Sequence, residues 1–554
     1  MAKLAFVILY TKRYSMAQEH LGVNYLAASL RRDGIEERSF HFLEGDDLEN
    51  IIEMSEYKPD IIALTLNYMP ISRIINITRQ IKKKLPDCHI TSGGSAVNFN
   101  EIELLKKFIH LDSVISGEAE SIISAFTYTL INGKTLENIP SVTWRDKDGI
   151  LHKNPYAEAI KDLDQIPFPL RRNIRNDSGT LTFNFTGARG CTGKCSFCVT
   201  TALRNCGKQG FWRGRSVENI VDELEQIVLQ FPTEIPPVFD FTDPTFEDPG
   251  VRGKKRIRQL TKEIIKRKLN IRLRVFLRAE NWSDEDNELI QLLVDAGVED
   301  ICTGTEAASA HDIGLYRKYK KMEDTHRIIE RFKEAGIYIV HGFIMYNPYS
   351  TFEDLRVNAK FLYEEALGDN LLKYTYYLQL FSGTEAFNQV KRDGLLISED
   401  FVDQEGIIDC MGMYEYTFKD RKVEYLAKRI YKLREDYLEL LEAYEHEHFF
   451  FTKVYYRLKR IFPEILHIPV IQELYELLQV LRNDLNELNY SNYIEIITFV
   501  EKDDVEISDN YLNNWINQMV VYFDEIKGIQ HKLIFQLKKI DIKRKIGEKL
   551  PLYI

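Results

Sequence analysis

Between residues 1 and 135, short runs of consecutive apolar residues alternate with segments whose apolar residues recur at helical spacing. Leu4–Tyr10 and Asp60–Leu66 are runs of strand length, whereas Leu21–Arg32 and Ile74–Lys84 have helical periodicity. Strands that are apolar along their whole length are typical of parallel sheets with helices on both faces. The pattern therefore predicts an α/β domain, a Rossmann-like doubly wound parallel sheet, over residues 1–135.

The ends of two of these strands carry candidate ligand contacts. The third strand, His89–Gly94, ends in Gly93 and Gly94, and Thr65 and Asn67 lie at the end of the strand before it. Ligands of doubly wound sheets bind at the carboxyl ends of the strands, and glycine lets the backbone approach a ligand closely. We expect a ligand at this edge, with turn formation as the open alternative for Thr65 and Asn67.

The rest of the chain divides into three parts by pattern. Residues 136–180 form a polar connector with a small hairpin, and residues 181–390 resume the strand–helix alternation on a longer period, which predicts a partial (β/α) TIM-type barrel. Residues 391–554 predict a mainly α-helical region. His446 and His448 lie there, but histidines two positions apart on a helix do not share a face, so we expect packing and not metal binding.

Composition narrows the class of protein. The chain has 554 residues, 44% of them hydrophobic, enough for several domain cores, and its net charge of −11 argues against nucleic-acid binding. The apolar run at Leu4 is too short to span a membrane, and no small-residue cleavage site follows it, so we expect neither a membrane segment nor a signal peptide. Seven unevenly spaced cysteines are unlike a disulfide scaffold and favour a reducing cytoplasm.

Three of the seven cysteines lie within eight residues, at Cys191, Cys195 and Cys198. Thiolates with this spacing on one loop can each ligate a different iron of a single [4Fe–4S] cluster, which leaves the fourth iron open to a ligand that is not protein. The alternative is a zinc site, which would need a fourth Cys or His, and Cys206 is the nearest. The spacing favours the cluster, and the other cysteines are too few for a second one.

The pattern Cys-x-x-x-Cys-x-aromatic-Cys, with Phe197 at the aromatic position, resembles the radical S-adenosylmethionine (SAM) enzymes. In that family SAM chelates the open iron through its amino and carboxylate groups, and reduction of the cluster splits SAM into methionine and a 5′-deoxyadenosyl radical that abstracts hydrogen from the substrate. The resemblance implies [4Fe–4S] and SAM as cofactors. It also implies a small-molecule or peptide substrate and an external electron donor of the flavodoxin or ferredoxin type. The protein then positions the cofactors and excludes water.

Residues at the ends of the predicted barrel strands match SAM-binding positions of that family. Asp243 matches the position that contacts the SAM amino group, Arg278 a partner of its carboxylate, and Glu306 a residue near its methionine or ribose part. The backbone of Phe197 matches a contact to adenine. An acidic residue after a strand is otherwise most often a helix N-cap, which is the alternative role here.

The N-terminal block is similar to the cobalamin-binding domain that precedes the barrel in the class B type of these enzymes. The matching residues are Gly22, Gly34, Lys82, Pro86, Gly93, Gly94, Gly117 and Glu118. The Asp-x-His-x-x-Gly pattern that supplies a histidine to cobalt in methyltransferase and mutase domains is absent, so the resemblance implies cobalt without a protein histidine. It further implies that Gly93, Gly94 and Glu118 contact the cofactor. The alternative is a domain that keeps the fold and has lost the corrinoid.

The resemblance implies an enzyme of one of two kinds. The first is a cobalamin-dependent methyltransferase, in which the radical removes hydrogen from an unactivated carbon and methylcobalamin delivers the methyl group. The second uses the radical for a rearrangement, dehydration, cyclisation or epimerisation, with cobalamin absent or passive. A non-enzymatic scaffold is the least favoured, because a three-cysteine cluster loop has little purpose without SAM.

Overall fold

The computed structural model describes residues 2–10, 19–66, 69–94, 97–177, 179–207, 210–249, 251–318, 322–398, 407–408, 414–502 and 509–544. Within these ranges, no helix has the length and apolarity needed to cross a membrane.

The N-terminal domain is a seven-stranded sheet in the order β2-β1-β3-β5-β6-β7-β8, in which the first five strands run parallel and the last two antiparallel. Its strands are β1 (Lys3–Leu9), β2 (Glu36–Phe42), β3 (Ile61–Thr65), the short β4 (Met69–Pro70) outside the sheet, β5 (His89–Gly93), β6 (Ser113–Ile115), β7 (Val142–Arg145) and β8 (Leu151–Lys153). Its helices are α1 (Leu21–Arg32), α2 (Asp47–Tyr57), α3 (Ile71–Lys84), α4 (Glu101–Lys107) and α5 (Ile123–Ile131).

Both faces of this sheet are buried, as its apolar strands predict. Ala5 and Val7 of β1 belong to one core, and Leu4 and Phe6 belong to a second core on the opposite face. The predicted Rossmann-like parallel sheet is confirmed. The hairpin predicted within the connector forms β7 and β8, which extend the edge of the sheet to Lys153.

The central domain is a partial barrel with the strand order β16-β15-β14-β13-β10-β9, parallel except for β9. Its strands are β9 (Arg175–Asp177), β10 (Thr180–Phe185), β11 (Ala188–Arg189), β12 (Arg213–Gly214), β13 (Val238–Phe241), β14 (Arg272–Leu277), β15 (Val298–Glu306) and β16 (Tyr338–Phe343). Its helices are α6 (Val199–Asn205), α7 (Val217–Gln230), α8 (Val251–Lys266), α9 (Asn287–Asp295), α10 (Ala310–Tyr316), α11 (Met322–Glu334), α12 (Phe352–Glu364) and α13 (Glu385–Arg392).

Alternation along the barrel strands separates two environments. Phe239, Leu273 and Ile301 pack outward against the helices in one core. The positions between them face inward, where Arg274 bonds Asp240 at 2.9 Å and Asp300 at 3.0 Å. The inward surface is therefore polar near the amino ends of the strands.

The C-terminal part is mainly helical, as predicted. It consists of β17 (Ile407–Ile408), which pairs with β4, and of α14 (Arg421–Asp436), α15 (Leu438–Ile461), α16 (Pro463–Leu466), α17 (Pro469–Glu501) and α18 (Asp509–Arg544). Helix α15 closes the amino end of the barrel, where its Lys453 pairs with Asp300. On the same helix, His448 lies 3.0 Å from the buried Asp369, which agrees with a packing role.

Candidate functional site

The three clustered cysteines lie on one loop whose base is a two-stranded ribbon. Strands β11 and β12 pair antiparallel, with Arg189 opposite Arg213, and the loop runs between them. Its entry requires glycine: Gly190 has φ 80°, and a Cβ there would lie 2.8 Å from the Phe211 carbonyl oxygen. The sequence folds locally into a closed loop because both of its ends are hydrogen-bonded to each other.

Cys191, Cys195 and Cys198 are all free thiols on this loop, and Cys195 is buried. Burial raises the pKa of Cys195, and the net value is about 11 although the nearby Lys318 and Arg278 lower it. The backbone N–H of Gly193 lies 3.2 Å from the Cys191 sulfur. Cations and backbone donors around sulfur favour the thiolate, which is the form that ligates iron.

The described geometry argues against a zinc knuckle. Four ligands of one zinc ion would bring the sulfurs close together, since each Zn–S bond is about 2.3 Å long. Among the described residues, groups of His, Cys and carboxylates with ligand atoms within 4.8 Å of one another occur in two places, and neither contains these thiols. Cys206 is exposed, and its thiol donates to the Leu203 carbonyl at 3.3 Å instead of joining the loop sulfurs.

Charged side chains surround the loop on the barrel side. Arg278 Nη1 lies 3.9 Å from the Cys191 sulfur, and Arg278 also donates to Glu280 at 2.7 Å. Lys318, which is buried, lies 3.9 Å from Glu280 and 3.5 Å from Glu306. Two cations and two carboxylates thus stand together at the strand ends, a suitable set of donors and acceptors for the zwitterionic end of SAM.

The structure places Arg278 beside the cysteine loop and Glu306 beside Lys318, and the predicted contacts of both residues with SAM stay predictions. A Cβ at Gly193 would lie 2.2 Å from Arg278 Nη1, so the loop is in direct contact with this guanidinium. Glu280 and Lys318 did not stand out in the sequence. Glu280 lies two residues after Arg278 without matching a SAM-binding position, and only the folded chain brings Lys318 to Glu280 and Glu306.

Asp243 lies elsewhere. It is 1% exposed, and its Oδ1 accepts the Gly187 N–H at 2.8 Å, while its Oδ2 has no hydrogen-bond partner in the part of the chain that the structure describes. Burial raises its pKa to about 7. The carboxyl group holds the turn that leads from β10 into β11, and its predicted contact with the SAM amino group stays a prediction against which this burial argues.

Phe197 is half-buried in the loop, with its ring edge-on to Tyr316 at a centroid distance of 5.4 Å. Its neighbour Ser196 donates to the Leu315 carbonyl at 2.7 Å. These contacts fix the backbone at Phe197, and the predicted adenine contact of that backbone stays a prediction.

The carboxyl edge of the N-terminal sheet has features that fit a corrinoid. Thr65 and Ser92 are buried, and within the described ranges neither hydroxyl has a hydrogen-bond partner. Gly93 has only the Ile115 carbonyl oxygen near its Cβ position, at 3.7 Å, and Gly94 has φ 112°. Unsatisfied buried hydroxyls beside open glycine backbone suit a polar ligand. Asn67 lies outside the described residues.

Glu118 connects the two domains. It accepts two hydrogen bonds from Arg213, at 2.6 and 3.0 Å, and one from the Ile160 N–H at 3.0 Å. The neighbouring Glu120 pairs with Arg189 at 2.6 Å. The predicted cofactor contact of Glu118 stays a prediction, and its side chain already bonds residues at the base of the cysteine loop.

Comparison with known proteins agrees with this arrangement. Residues 12–127 match the B12 binding domain, and residues 186–362 match the Radical SAM superfamily. An uncharacterized methyltransferase from Pyrococcus horikoshii is 22% identical over 80% of this chain and 94% of its own length. The hopanoid C-3 methylase of Methylococcus capsulatus is 25% identical over 61% of this chain and 62% of its own length.

Solved structures share the fold. The cobalamin-dependent SAM radical enzyme OxsB has a TM-score of 0.67 at 18% identity, covering 94% of this chain and 84% of its own. The radical SAM methyltransferase TsrM from Kitasatospora setae has a TM-score of 0.54 at 17% identity, covering 70% of this chain and 76% of its own.

Both cofactor-binding domains are present in one chain and in the expected order, with the cysteine loop inside the second. Its cofactors are accordingly a [4Fe–4S] cluster, SAM and cobalamin, and it takes a substrate and an electron donor. The chain belongs to the cobalamin-binding, class B type of radical SAM enzymes.

Proposed function

We propose that this protein is a cobalamin-dependent radical SAM methyltransferase that methylates an unactivated carbon of a small molecule or a peptide. The observation that carries the proposal is the link between its two cofactor-binding domains. Glu118 and Glu120, just after β6 of the N-terminal sheet, hold Arg213 and Arg189 at the base of the cysteine loop. A methyl carrier on the first domain therefore lies near a radical source on the second, as methyl relay requires.

The residues of the chain have distinct tasks in this reaction. When bound, the cluster and SAM supply a carbon radical for hydrogen abstraction, and cobalamin supplies the methyl group. The three cysteines hold the cluster, Arg278 and Lys318 offer donors to the SAM carboxylate, and Glu306 offers an acceptor to its ammonium group. Fixing both ends of a zwitterion defines which of its S–C bonds is aligned with the iron.

Two facing glycines line the barrel next to this set. Register pairs Gly304 with Gly342 at the mouth, where a Cβ at Gly342 would be in van der Waals contact with the Gly304 Cα at 3.5 Å. Phe276 lies on β14 at an inward-facing position and is 42% exposed. Glycine backbone and an exposed ring together give this wall a partly apolar surface, which supports binding of an adenosine or a substrate carbon skeleton.

Names of relatives favour methyl transfer and also support the second candidate. Besides the two methyl-transferring relatives above, the bacteriochlorophyllide d C-8(2)-methyltransferase of Chlorobaculum tepidum is 24% identical over 62% of this chain and 70% of its own length. The anaerobic magnesium-protoporphyrin IX monomethyl ester cyclase of Rubrivivax gelatinosus is 26% identical over 61% of this chain, which spans 60% of that relative. A non-methylating radical reaction such as cyclisation is therefore the second candidate.

One experiment separates the two candidates without knowledge of the substrate. The protein is reconstituted anaerobically with iron and sulfide, loaded with hydroxocobalamin, reduced, and given SAM labelled in its methyl group. A methyltransferase should form labelled methylcobalamin and S-adenosylhomocysteine, and should also release 5′-deoxyadenosine. Release of 5′-deoxyadenosine alone, with corrinoid bound and unlabelled, would favour the non-methylating enzyme.

The remaining expectations form part of this proposal. The electron donor is a carrier protein of the flavodoxin or ferredoxin type, and the enzyme works in the cytoplasm, where reducing conditions preserve the cluster. The net charge of −11 supports a small-molecule or peptide substrate over a nucleic acid.

A further inference from the structure

The cysteine loop is covered by protein on most of its sides. Ser196 is tied to Leu315 by its side chain and to the Ala386 N–H by its carbonyl, at 2.7 and 2.9 Å. Phe197 packs on Tyr316, and Arg278 covers the barrel side. In the part of the chain that the structure describes, one face of the loop remains open to solvent.

That open face consists of Thr192, Lys194, Arg204 and Phe211, which we call the outer loop face. Thr192 and Lys194 are exposed, and Phe211 is 68% exposed. Arg204 donates to the carbonyls of Cys191 and Gly193 at 2.7 and 3.0 Å. Its guanidinium carbon lies 5.1 Å from the Phe211 ring centroid, so an exposed aromatic ring is linked to the cluster loop through one side chain.

The charge of this region is opposite to that of the chain. The sequence from 178 to 217 contains six Lys and Arg and no Asp or Glu, although the whole chain has a net charge of −11. Three of the arginines are neutralised by ion pairs, which are Arg189–Glu120, Arg213–Glu118 and Arg215–Glu223. Lys194 and Arg204 have no carboxylate partner among the described residues, and Lys208 lies outside them. The outer loop face is therefore basic.

We propose that the outer loop face is the docking surface for a small acidic one-electron carrier protein. The proposal rests on the proposed function, because only a cluster that must be reduced in each turnover needs such a donor. One electron leaves the carrier and one enters the cluster, and no bond forms or breaks. Electron-transfer encounters use small interfaces, below about 1,200 Å², and opposite charges steer them. A basic rim around one exposed ring fits such a partner.

The test compares a protein donor with a small one. The reconstituted full-length enzyme is mixed anaerobically with reduced flavodoxin or with dithionite, and cluster reduction is followed by absorbance and EPR. Lys194→Glu and Phe211→Ser should each lower the second-order rate with flavodoxin about tenfold at low ionic strength, and added salt should shrink the effect of Lys194→Glu. The rate with dithionite should stay within about twofold of wild type, because a small reductant needs no docking surface.

Matched controls lie far from the loop. Lys262→Glu reverses an exposed charge on α8, and Phe535→Ser removes a ring that is 57% exposed and also carries a cation, Lys539. In both control variants, either donor should reduce the cluster at the wild-type rate. The proposal would be overturned if flavodoxin reduced the cluster of Lys194→Glu and Phe211→Ser at the rate of the wild-type enzyme. An equal loss of rate with flavodoxin and with dithionite would also overturn it.

Two further comparisons distinguish a wrong docking surface from loss of iron and from failure of the proposed function. Phe211 lies outside the segment that contains the three cysteines. If Lys194→Glu retains less iron, Phe211→Ser alone therefore tests the docking surface. Failure of the proposed function looks different: the wild-type enzyme would then form no labelled methylcobalamin even with dithionite. The docking surface fails when dithionite drives that reaction normally and flavodoxin reduces the variants as fast as wild type.

Discussion

Arg189, two residues before the first cysteine of the loop, forms an ion pair of 2.6 Å with Glu120 of the N-terminal domain. Directly opposite on the ribbon, Arg213 pairs with Glu118 at the same distance. Two like charges facing each other across an antiparallel ribbon repel, and the two carboxylates offset that repulsion. The corrinoid-binding domain is thus part of the structure that closes the cysteine loop.

The first prediction follows from this closure. Glu118→Gln should leave Arg213 without its carboxylate in a mostly buried place, and should lower the free energy of unfolding by about 3 kcal/mol. The variant should also retain less iron after reconstitution, because the base of the loop is strained. Urea unfolding of the apoprotein and iron analysis measure the two effects. Glu137→Gln, at an exposed position, serves as the control; equal stability and iron content in the two variants would contradict the prediction.

The second prediction concerns the cluster ligands. Cys191→Ala, Cys195→Ala or Cys198→Ala should each lower bound iron and abolish SAM cleavage, since every thiolate ligates a different iron. Cys206→Ala should keep the iron content and activity of the wild type, because the exposed Cys206 thiol is hydrogen-bonded to the Leu203 carbonyl. Iron and sulfide analysis with detection of 5′-deoxyadenosine is the measurement. Full SAM cleavage by the Cys195→Ala protein would rule out this ligand set.

The sequence predicted the fold class well because its signals there are local. Continuous apolar runs specify strands buried on both faces, and β1 is buried on both faces. The cysteine loop was equally easy to recognise in the sequence, since its three cysteines lie within eight residues. Lys318 and Glu280 were not, because they are 38 positions apart in the sequence and only the fold brings them within 3.9 Å.

Strand parity explains why Asp243 and Arg278, both matched to SAM-binding positions, lie in different places. Asp243 follows Phe239 and Phe241 at two-residue steps, and both of those rings face the helices. Arg278 instead shares its parity with Arg274 and Phe276, which face the barrel interior. The alternation was present in the sequence, and it distinguishes the buried Asp243 from the Arg278 that reaches the loop.

The third prediction uses the raised pKa of Asp243, about 7. The folded state keeps a proton that the unfolded state releases above its ordinary pKa of 3.8. The contribution of this group to the free energy of unfolding should therefore fall between about pH 4 and pH 7, by up to about 1.4 kcal/mol per pH unit. Asp243→Asn should remove that slope. Urea unfolding of both apoproteins across this range tests it, and parallel curves would show that Asp243 does not titrate in this way.

The fourth prediction concerns SAM binding. Arg278→Leu should weaken SAM binding about tenfold or more, because a charge-assisted hydrogen bond to the carboxylate contributes about 1.5–3 kcal/mol. Arg278→Lys keeps the charge and should recover part of the affinity. Equilibrium dialysis of labelled SAM with the reconstituted proteins gives the dissociation constants. If both variants bind SAM as tightly as wild type while retaining their iron, the carboxylate has another partner.

The last prediction places cobalamin at the carboxyl edge of the N-terminal sheet. Gly94→Val should weaken hydroxocobalamin binding at least tenfold, because φ 112° strains a branched side chain and a Cβ would occupy the approach to the ligand. Thr65→Val and Ser92→Ala should each weaken it less, by removing one hydroxyl that has no hydrogen-bond partner among the described residues. Cobalt should carry no histidine from the chain, so the bound corrinoid should show a base-off spectrum that His20→Ala leaves unchanged. His20 is the histidine to test, since it directly precedes α1 at the edge where the first strand ends. Titration of the apoprotein followed by absorbance measures all four variants, and a base-on spectrum lost in His20→Ala would show that a protein histidine does bind cobalt.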